Sequence, residues 1–139
     1  MPQFKQLVET SVDSAEVAWL VSKRAAAVRS RDAEYLASRY APGALTFGIA
    51  PPLGARADEA NRVEWLRLWF DGLDGRIDYV VHHLTVSVGG ELAFCHGFAS
   101  FRARREGRRR SAIHLETTLG LQRANGVWLV EAERVRAVE

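Results

Sequence analysis

The stretch that decides the fold is residues 77–102, IDYVVHHLTVSVGGELAFCHGFASFR, in which two kinds of side chain alternate with a period of two. Such alternation is typical of strands that bury one face. Gly89-Gly90 interrupts it near the middle and predicts a hairpin. The stretch therefore predicts two antiparallel strands, one beginning at Ile77 and the other at Leu92.

Each of these strands has one face that carries the larger apolar side chains. In the first strand that face holds Val80, His82, Leu84, Val86 and Val88, and in the second it holds Leu92, Phe94, His96 and Phe98. Because large apolar side chains favour burial, we expect these two faces to meet the rest of the core.

Two more strands are predicted downstream. An arginine-rich polar turn at residues 104–110 precedes a strand over residues 113–122, and Asn125-Gly126 is the strongest hairpin signal in the chain. The last strand is expected to run from residue 127 to about 136. These strands extend the sheet as an antiparallel meander.

Three helices are predicted before the long strands. The first is expected over residues 15–29, after an N-terminal arm of residues 1–12, with Arg24 off its apolar stripe. Asp32 is placed to cap the second helix, which Pro42-Gly43 ends. A short strand at residues 45–49 follows.

Asp58 is placed to cap the third helix, in which Trp65 and Trp69 lie one turn apart beside the apolar stripe.

Helices followed by a meander predict an α+β fold. We expect the three helices to pack on a strongly curved, mainly antiparallel sheet. This arrangement forms a cone with an internal pocket.

Composition places the chain among soluble globular domains. It has 139 residues, enough for one domain, with 47% apolar and 26% charged residues and a formal net charge of +2. It has neither an apolar run long enough for a membrane span nor a start like a signal peptide. A single cysteine, Cys95, excludes an internal disulfide. We therefore expect a cytoplasmic protein without membrane association.

Four stretches carry a resemblance to a known family. They are Pro51-Pro52-Leu53, Trp69-Phe70 with residues 74–77, residues 88–96, and Asn125-Gly126-Val127-Trp128. From about residue 14 to 136 the chain resembles the SnoaL-like group of the nuclear transport factor 2-like superfamily, which includes ketosteroid isomerase. The resemblance implies a single SnoaL-like domain over residues 1–139.

Three polar positions of this group are replaced. The chain has Gly48 where relatives often carry an acidic residue, and Glu116 where they often carry arginine. It has Ala132-Glu133-Arg134 where they typically have His-Glu-His. Because superfamily members include isomerases, cyclases, dehydratases and non-catalytic proteins, the fold alone does not select an activity.

The resemblance leaves two functions open. One is a cofactor-independent isomerase, cyclase or dehydratase that acts on a small, partly apolar molecule, with His96 as the base and His82 assisting. Histidine suits this role because its ordinary pKa is about 6.5. The other is a non-catalytic ligand-binding or dimerisation module that has lost the polar site residues.

Five further residues are predicted to contact a ligand. Trp65, Trp69, Phe94 and Phe98 are candidates for the apolar wall of the pocket. A two-residue turn at Asn125-Gly126 places Arg134 opposite Thr117, on the apolar face. An arginine on such a face needs an acidic partner or an anionic ligand, unless the end of the strand lies outside the core and Arg134 is solvated.

Other partners follow from what the sequence offers. The histidine and cysteine spacing does not predict a metal site, and no cofactor motif is present. The arginine run lacks interleaved aromatic residues, so nucleic-acid binding is not expected. The second sheet face is predicted to carry Val81, Cys95, Ala99, Phe101, Leu129 and Val135. Because this face is too apolar to be fully solvated, we expect a homodimer formed through it.

Overall fold

A computed structural model of the chain describes residues 2–48 and 61–138, and three helices and five strands lie within them. The helices are α1 (Pro2–Ser30), α2 (Ala33–Ser38) and α3 (Arg62–Asp71). The strands are β1 (Tyr40–Gly48), β2 (Leu73–Gly89), β3 (Leu92–Arg105), β4 (Arg110–Ala124) and β5 (Val127–Ala137). In these ranges no helix is long and apolar enough to cross a membrane.

The five strands form one sheet in the order β1-β5-β4-β3-β2. β1 runs parallel to β5, and the other neighbours are antiparallel. Both predicted hairpins are present. Asn125 and Gly126 have φ angles of 53° and 79°, as the tightest two-residue hairpin turn requires. The predicted α+β fold of three helices on a mainly antiparallel sheet is confirmed.

The helix boundaries differ from the predicted ones in two places. α1 begins at Pro2, so the segment predicted as an arm continues the helix. The side chain of Asp32 accepts a hydrogen bond from the backbone N–H of Tyr35 at 3.0 Å, which confirms the predicted cap. α2 ends at Ser38, and Tyr40 already belongs to β1. Pro51-Pro52-Leu53 and Asp58 lie outside the described residues.

The helices cover the face of β3 that carries its small side chains. Cys95 and Ala99 are almost fully buried on this inner face, and Cys95 packs in one cluster with Val17 of α1. Leu92 and Phe94 are each more than half exposed on the outer face. The prediction that the larger apolar side chains of β3 face the core is therefore wrong. Small side chains allow a helix to approach the sheet closely and leave space beside it.

A bulge in β2 explains why the alternation misplaced Val80 and His82, whereas Leu84, Val86 and Val88 pack on the core as predicted. The register with β3 shifts between His82 and Thr85, and His83 has a φ angle of 54°. An extra residue in one strand breaks the period of two. Val81 and Leu84 therefore both lie at the inner face, although they are three residues apart. His82 is left exposed.

Candidate functional site

A cavity of about 330 Å³ lies between the inner face of the sheet and the helices. Its walls are mostly apolar. They include Val28 and Leu36 from the helices and Leu84, Ala99 and Leu115 from the sheet. On β3 the cavity is bounded by Gly97, which has no side chain, and by the small side chain of Ala99.

Three polar side chains from distant parts of the chain meet at the wall of the cavity. Arg24 of α1 donates from Nη2 to Glu133 Oε2 at 2.9 Å and to the Tyr40 hydroxyl at 3.0 Å. Tyr40 in turn donates to Glu133 Oε1 at 2.5 Å. The side chains of Arg24 and Glu133 are only 11% and 4% exposed. We call Arg24, Tyr40 and Glu133 the polar cluster.

A β-bulge in β5 turns Glu133 toward the polar cluster. Val130 pairs with Leu121, but the next pair joins Ala132 to Gly120, which leaves Glu131 as the extra residue. Val130 and Glu133 are both buried, three residues apart. Regular alternation from Val130 would instead have placed Ala132 and Arg134 inside.

Burial and mutual charge define the protonation of these groups. Burial lowers the pKa of the Arg24 guanidinium, but the nearby Tyr40 and Glu133 oxygens raise it further, so the net pKa lies above its ordinary value. Burial, and then the charge of Glu133, raise the pKa of Tyr40 well above its ordinary value. Burial likewise raises the pKa of Tyr79, with Glu133 adding to the effect. At neutral pH, Arg24 is therefore charged and both tyrosines keep their hydroxyl protons.

Two buried polar atoms near the cluster form no well-directed hydrogen bond within the described residues, although Thr117 lies close enough to the Tyr79 hydroxyl to act on its pKa. They are Nε of Arg24 and Oγ1 of Thr117. Both residues line the cavity. An unsatisfied buried polar group costs about 1–3 kcal/mol. The cavity thus combines apolar walls with vacant hydrogen-bonding capacity, which is the composition of a small-molecule site.

The family comparison agrees with this architecture. The model of the family described as "SnoaL-like domain" matches residues 17–132, which is most of the chain. The chain belongs to the SnoaL-like domain family. The matched region contains Arg24 and Tyr40 of the polar cluster and ends one residue before Glu133. A comparison with curated proteins gave no match.

Solved structures similar to this SnoaL-like domain share its fold at low sequence identity. An NTF2-like protein of unknown function from Pseudomonas putida has a TM-score of 0.76 and 22% identity, over 93% of this chain and 89% of its own. A putative dehydratase of the NTF2-like family from Streptomyces avermitilis has a TM-score of 0.77 and 16% identity, over 93% and 98%. A ketosteroid isomerase-like protein from Erwinia carotovora atroseptica has a TM-score of 0.75 and 12% identity, over 91% and 97%. The predicted SnoaL-like family is confirmed by the family match, and these structures show that the fold is shared.

His96 and His82, the predicted catalytic residues, do not line the cavity. Nε2 of His96 lies 3.0 Å from Glu116 Oε2 on the outer face, and its side chain is 37% exposed. His82 is exposed and stacks on Phe98, with ring centroids 6.5 Å apart. The predicted placement of both imidazoles inside the pocket is therefore wrong, because β3 turns its small side chains inward and the bulge at His83 turns His82 outward.

The predicted ligand-contacting residues divide between the two faces. Trp69 lines the cavity, where it packs on Phe101 with ring centroids 5.5 Å apart. Phe98 borders the cavity, but its ring packs against His96 and His82. Trp65 is not among the cavity-lining residues, and Phe94 is exposed on the outer face.

Arg134 also lies away from the cavity. It is exposed and pairs with Thr118 across the ladder, one position from the predicted Thr117. The bulge at Glu131 accounts for this difference. Glu116 meets Arg136, its cross-strand partner, in an ion pair on the same outer face.

The polar cluster was largely missed by the sequence analysis. Arg24 was assigned to the polar side of the first helix, yet it lies three residues after Val21 and four before Val28, on the same stripe. That spacing was the available signal. For Tyr40 the sequence offers no comparable signal, because nothing in it places the hydroxyl. Glu133 is the acidic centre of the stretch Ala132-Glu133-Arg134, but only the bulge brings it inside.

Metal binding finds no support in the part of the chain that the structure describes. No group of three or more histidine, cysteine or acidic side chains there is placed to hold an ion. Cys95 is buried in the core, and burial raises the pKa of its thiol to about 11. The thiol is therefore protonated at neutral pH and is a poor nucleophile.

Proposed function

We propose that this SnoaL-like domain binds a small, largely apolar molecule in the cavity and holds one oxygen-bearing group of that molecule beside the polar cluster. The observation that carries the proposal is the pair of unpartnered buried atoms, Arg24 Nε and Thr117 Oγ1, at the wall of an apolar cavity. A ligand carbonyl or hydroxyl oxygen accepts hydrogen bonds from such groups. Binding then removes a desolvation cost that the free protein bears.

The position of the charges defines what kind of polar group fits beside the cluster. Glu133 already neutralises Arg24 and accepts from Tyr40. A second full charge at this point would be buried without a counter-charge, which is costly. A neutral oxygen, such as that of a ketone, suits the remaining hydrogen-bonding capacity.

A matched pair of threonines tests the proposal. The apolar ketone 2-tetralone and the hydrocarbon naphthalene serve as probes, with binding followed through tryptophan fluorescence. Thr117→Val removes the hydroxyl at the cavity, whereas Thr118→Val makes the same change on the outer face. We expect Thr117→Val alone to weaken 2-tetralone binding about fivefold, since a hydrogen bond contributes about 1 kcal/mol. Naphthalene affinity should not change, and failure of both probes to bind would refute the proposal.

A second candidate function, cofactor-independent proton transfer, is favoured by the hydrogen bond between Tyr40 and Glu133. The carboxylate of Glu133 accepts a hydrogen bond from the Tyr40 hydroxyl at 2.5 Å at the wall of the cavity. A carboxylate in this position is arranged to accept a proton from a carbon atom of the ligand and to return it. Arg24 stabilises the oxygen charge that develops during enolisation, and once Glu133 has taken the proton from carbon, Tyr40 turns its single hydroxyl proton from Glu133 to that oxygen. In this mechanism Glu133, rather than His96, is the base.

Hydrogen–deuterium exchange at the α-carbons of 2-tetralone measures this reaction directly by NMR. We expect the wild-type protein to accelerate exchange and Glu133→Gln to abolish the acceleration. Glu131→Gln, which changes the exposed bulge residue two positions away, is the control and should behave as wild type. If exchange stays at the rate of the buffer alone while 2-tetralone is bound, the domain binds the ketone and does not catalyse its enolisation.

A further inference from the structure

The arginine-rich turn between β3 and β4 forms one end of the cavity. Arg105, Arg108 and Arg109 line the cavity, although all three are exposed to solvent. Ser111 and Ile113, which follow on β4, line it as well. The turn that composition alone presents as a solvated hairpin end is therefore part of the mouth of the ligand cavity.

The polar cluster and this mouth lie far apart along the sheet. Glu133 pairs with Leu119, and Leu119 pairs with Cys95. Arg105 follows Cys95 by ten residues on the same strand, which is about 30 Å of extended chain. Residues along this path, including Ala99, Phe101 and Ala103, line the cavity. The cavity is thus elongated along β3, with the polar cluster near one end and the arginines at the other.

Within residues 2–48 and 61–138, no carboxylate neutralises the positive charge of the three arginines at the mouth. Their neighbours in the same turn are paired, Arg104 with Asp74 at 3.7 Å and Arg110 with Asp78 at 2.5 Å. No ion pair joins Arg105, Arg108 or Arg109 to a carboxylate of the described residues. Guanidinium groups bind carboxylates and phosphates through paired hydrogen bonds.

We infer that the cavity accepts an elongated amphipathic anion, with its apolar chain along the inner face of β3 and its anionic head group at Arg105, Arg108 and Arg109. This inference rests on the proposed function, because the chain occupies the same cavity. The head group stays at the solvent edge, so its desolvation is small. The apolar chain passes Phe101 and Trp69 and directs its far end toward the polar cluster.

Three probes with the same chain and different head groups test the inference. They are dodecanoate, dodecyl phosphate and the neutral 1-dodecanol, titrated below their micelle concentrations by calorimetry. The test variant is Arg105→Gln with Arg108→Gln and Arg109→Gln. Its control, Arg102→Gln with Arg104→Gln and Arg134→Gln, changes the net charge by the same amount at exposed positions away from the cavity lining.

We expect the wild-type protein to bind at least one of the two anions at least tenfold more tightly than 1-dodecanol at low salt. The test variant should lose this preference without changing its affinity for the alcohol, and the control should keep it. A preference for dodecanoate over dodecyl phosphate, or the reverse, identifies the head group. Added salt should reduce the preference, since exposed charges are screened.

Four results would overturn the inference. Equal binding of alcohol and anions shows that the cavity ignores the head group, while the proposed function stands. An equal loss in both triple variants shows a general effect of charge rather than a site. Salt-sensitive binding of a DNA or RNA duplex that only the test variant loses assigns the arginines to nucleic acid. If 1-dodecanol, both anions and 2-tetralone all fail to bind, the proposed function fails as well.

Discussion

Replacing Arg24 by methionine is expected to destabilise the fold by about 3–5 kcal/mol. The substitution removes one partner of an ion pair whose side chains are 11% and 4% exposed. Glu133 then keeps only the hydrogen bond from Tyr40, and its charge is left buried without compensation. Removing one partner of a buried pair has a cost of this size because the other charge cannot be rehydrated.

Urea denaturation followed by circular dichroism measures the change in the free energy of unfolding. The control is Arg136→Met, which breaks the ion pair with Glu116 on the exposed outer face. Such a pair contributes about 0–1 kcal/mol. At about 4 °C per kcal/mol for a domain of this size, Arg24→Met should lower the Tm by about 12–20 °C, and the control by only a few degrees.

The double variant Arg24→Met with Glu133→Gln separates buried charge from lost packing. The second substitution removes the uncompensated charge, while glutamine still accepts the Tyr40 hydrogen bond. We expect the double variant to be more stable than Arg24→Met alone. A cost below about 1 kcal/mol for Arg24→Met, or a double variant as unstable as the sum of the two single changes, would refute the assignment of a charged pair at the cavity wall.

Three further expectations concern separate parts of the molecule. Cys95 should react with a thiol reagent at pH 8 far more slowly in the folded protein than in urea, because burial raises its pKa to about 11; equal rates would contradict its burial. The hydrogen bonds that Glu116 accepts from Arg136 and, to a smaller extent, from His96 lower its pKa, so the stabilising effect of Glu116 is present above about pH 4.5 and lost as the pH falls through the lowered pKa. The stability difference between wild type and Glu116→Gln should therefore shrink in acid, and a difference that grows would be inconsistent with this pairing. We also expect a homodimer through the outer sheet face, with light scattering giving twice the 15.5 kDa of one chain and Phe94→Asp giving the monomer; a monomeric wild type would exclude it.

The residues on which the dimer expectation first rested lie elsewhere in the structure. Cys95, Ala99 and Val135 were predicted on the free face of the sheet, but they are almost fully buried on the inner one. The outer face instead exposes more than half of Val80, Leu92 and Phe94. An apolar surface of this kind is again unusual for a solvated sheet, so the expectation is retained with a different set of residues.

Local signals predicted the elements of the fold well. The Asn125-Gly126 turn, the Gly89-Gly90 hairpin and the Asp32 cap are each specified by a few neighbouring residues, and each is present. The face of the sheet to which a side chain points depends instead on the number of residues between it and a residue whose face is known. One extra residue in a strand reverses the assignment of all that follow.

The bulges at His83 and Glu131 therefore account for most of the difference between the predicted and the observed site. Neither is marked by a glycine or proline that would reveal it. The choice of face in β3 has another cause. Its alternate residues are apolar on both sides, large on one and small on the other, so hydropathy alone does not distinguish them. The small side chains face inward because they allow the helices to pack closely on the sheet.

The bulge at Glu131 also determines the charge of the cavity. Without it, regular alternation would place Arg134 inside beside Arg24, and the cavity wall would hold two cations that require a buried anion. With it, Glu133 faces Arg24 and the cluster is electrically balanced. An anionic ligand group is then disfavoured at this end and favoured only at the uncompensated arginines of the mouth. One inserted residue thus sets the direction in which an amphipathic ligand enters, with its neutral end toward Glu133.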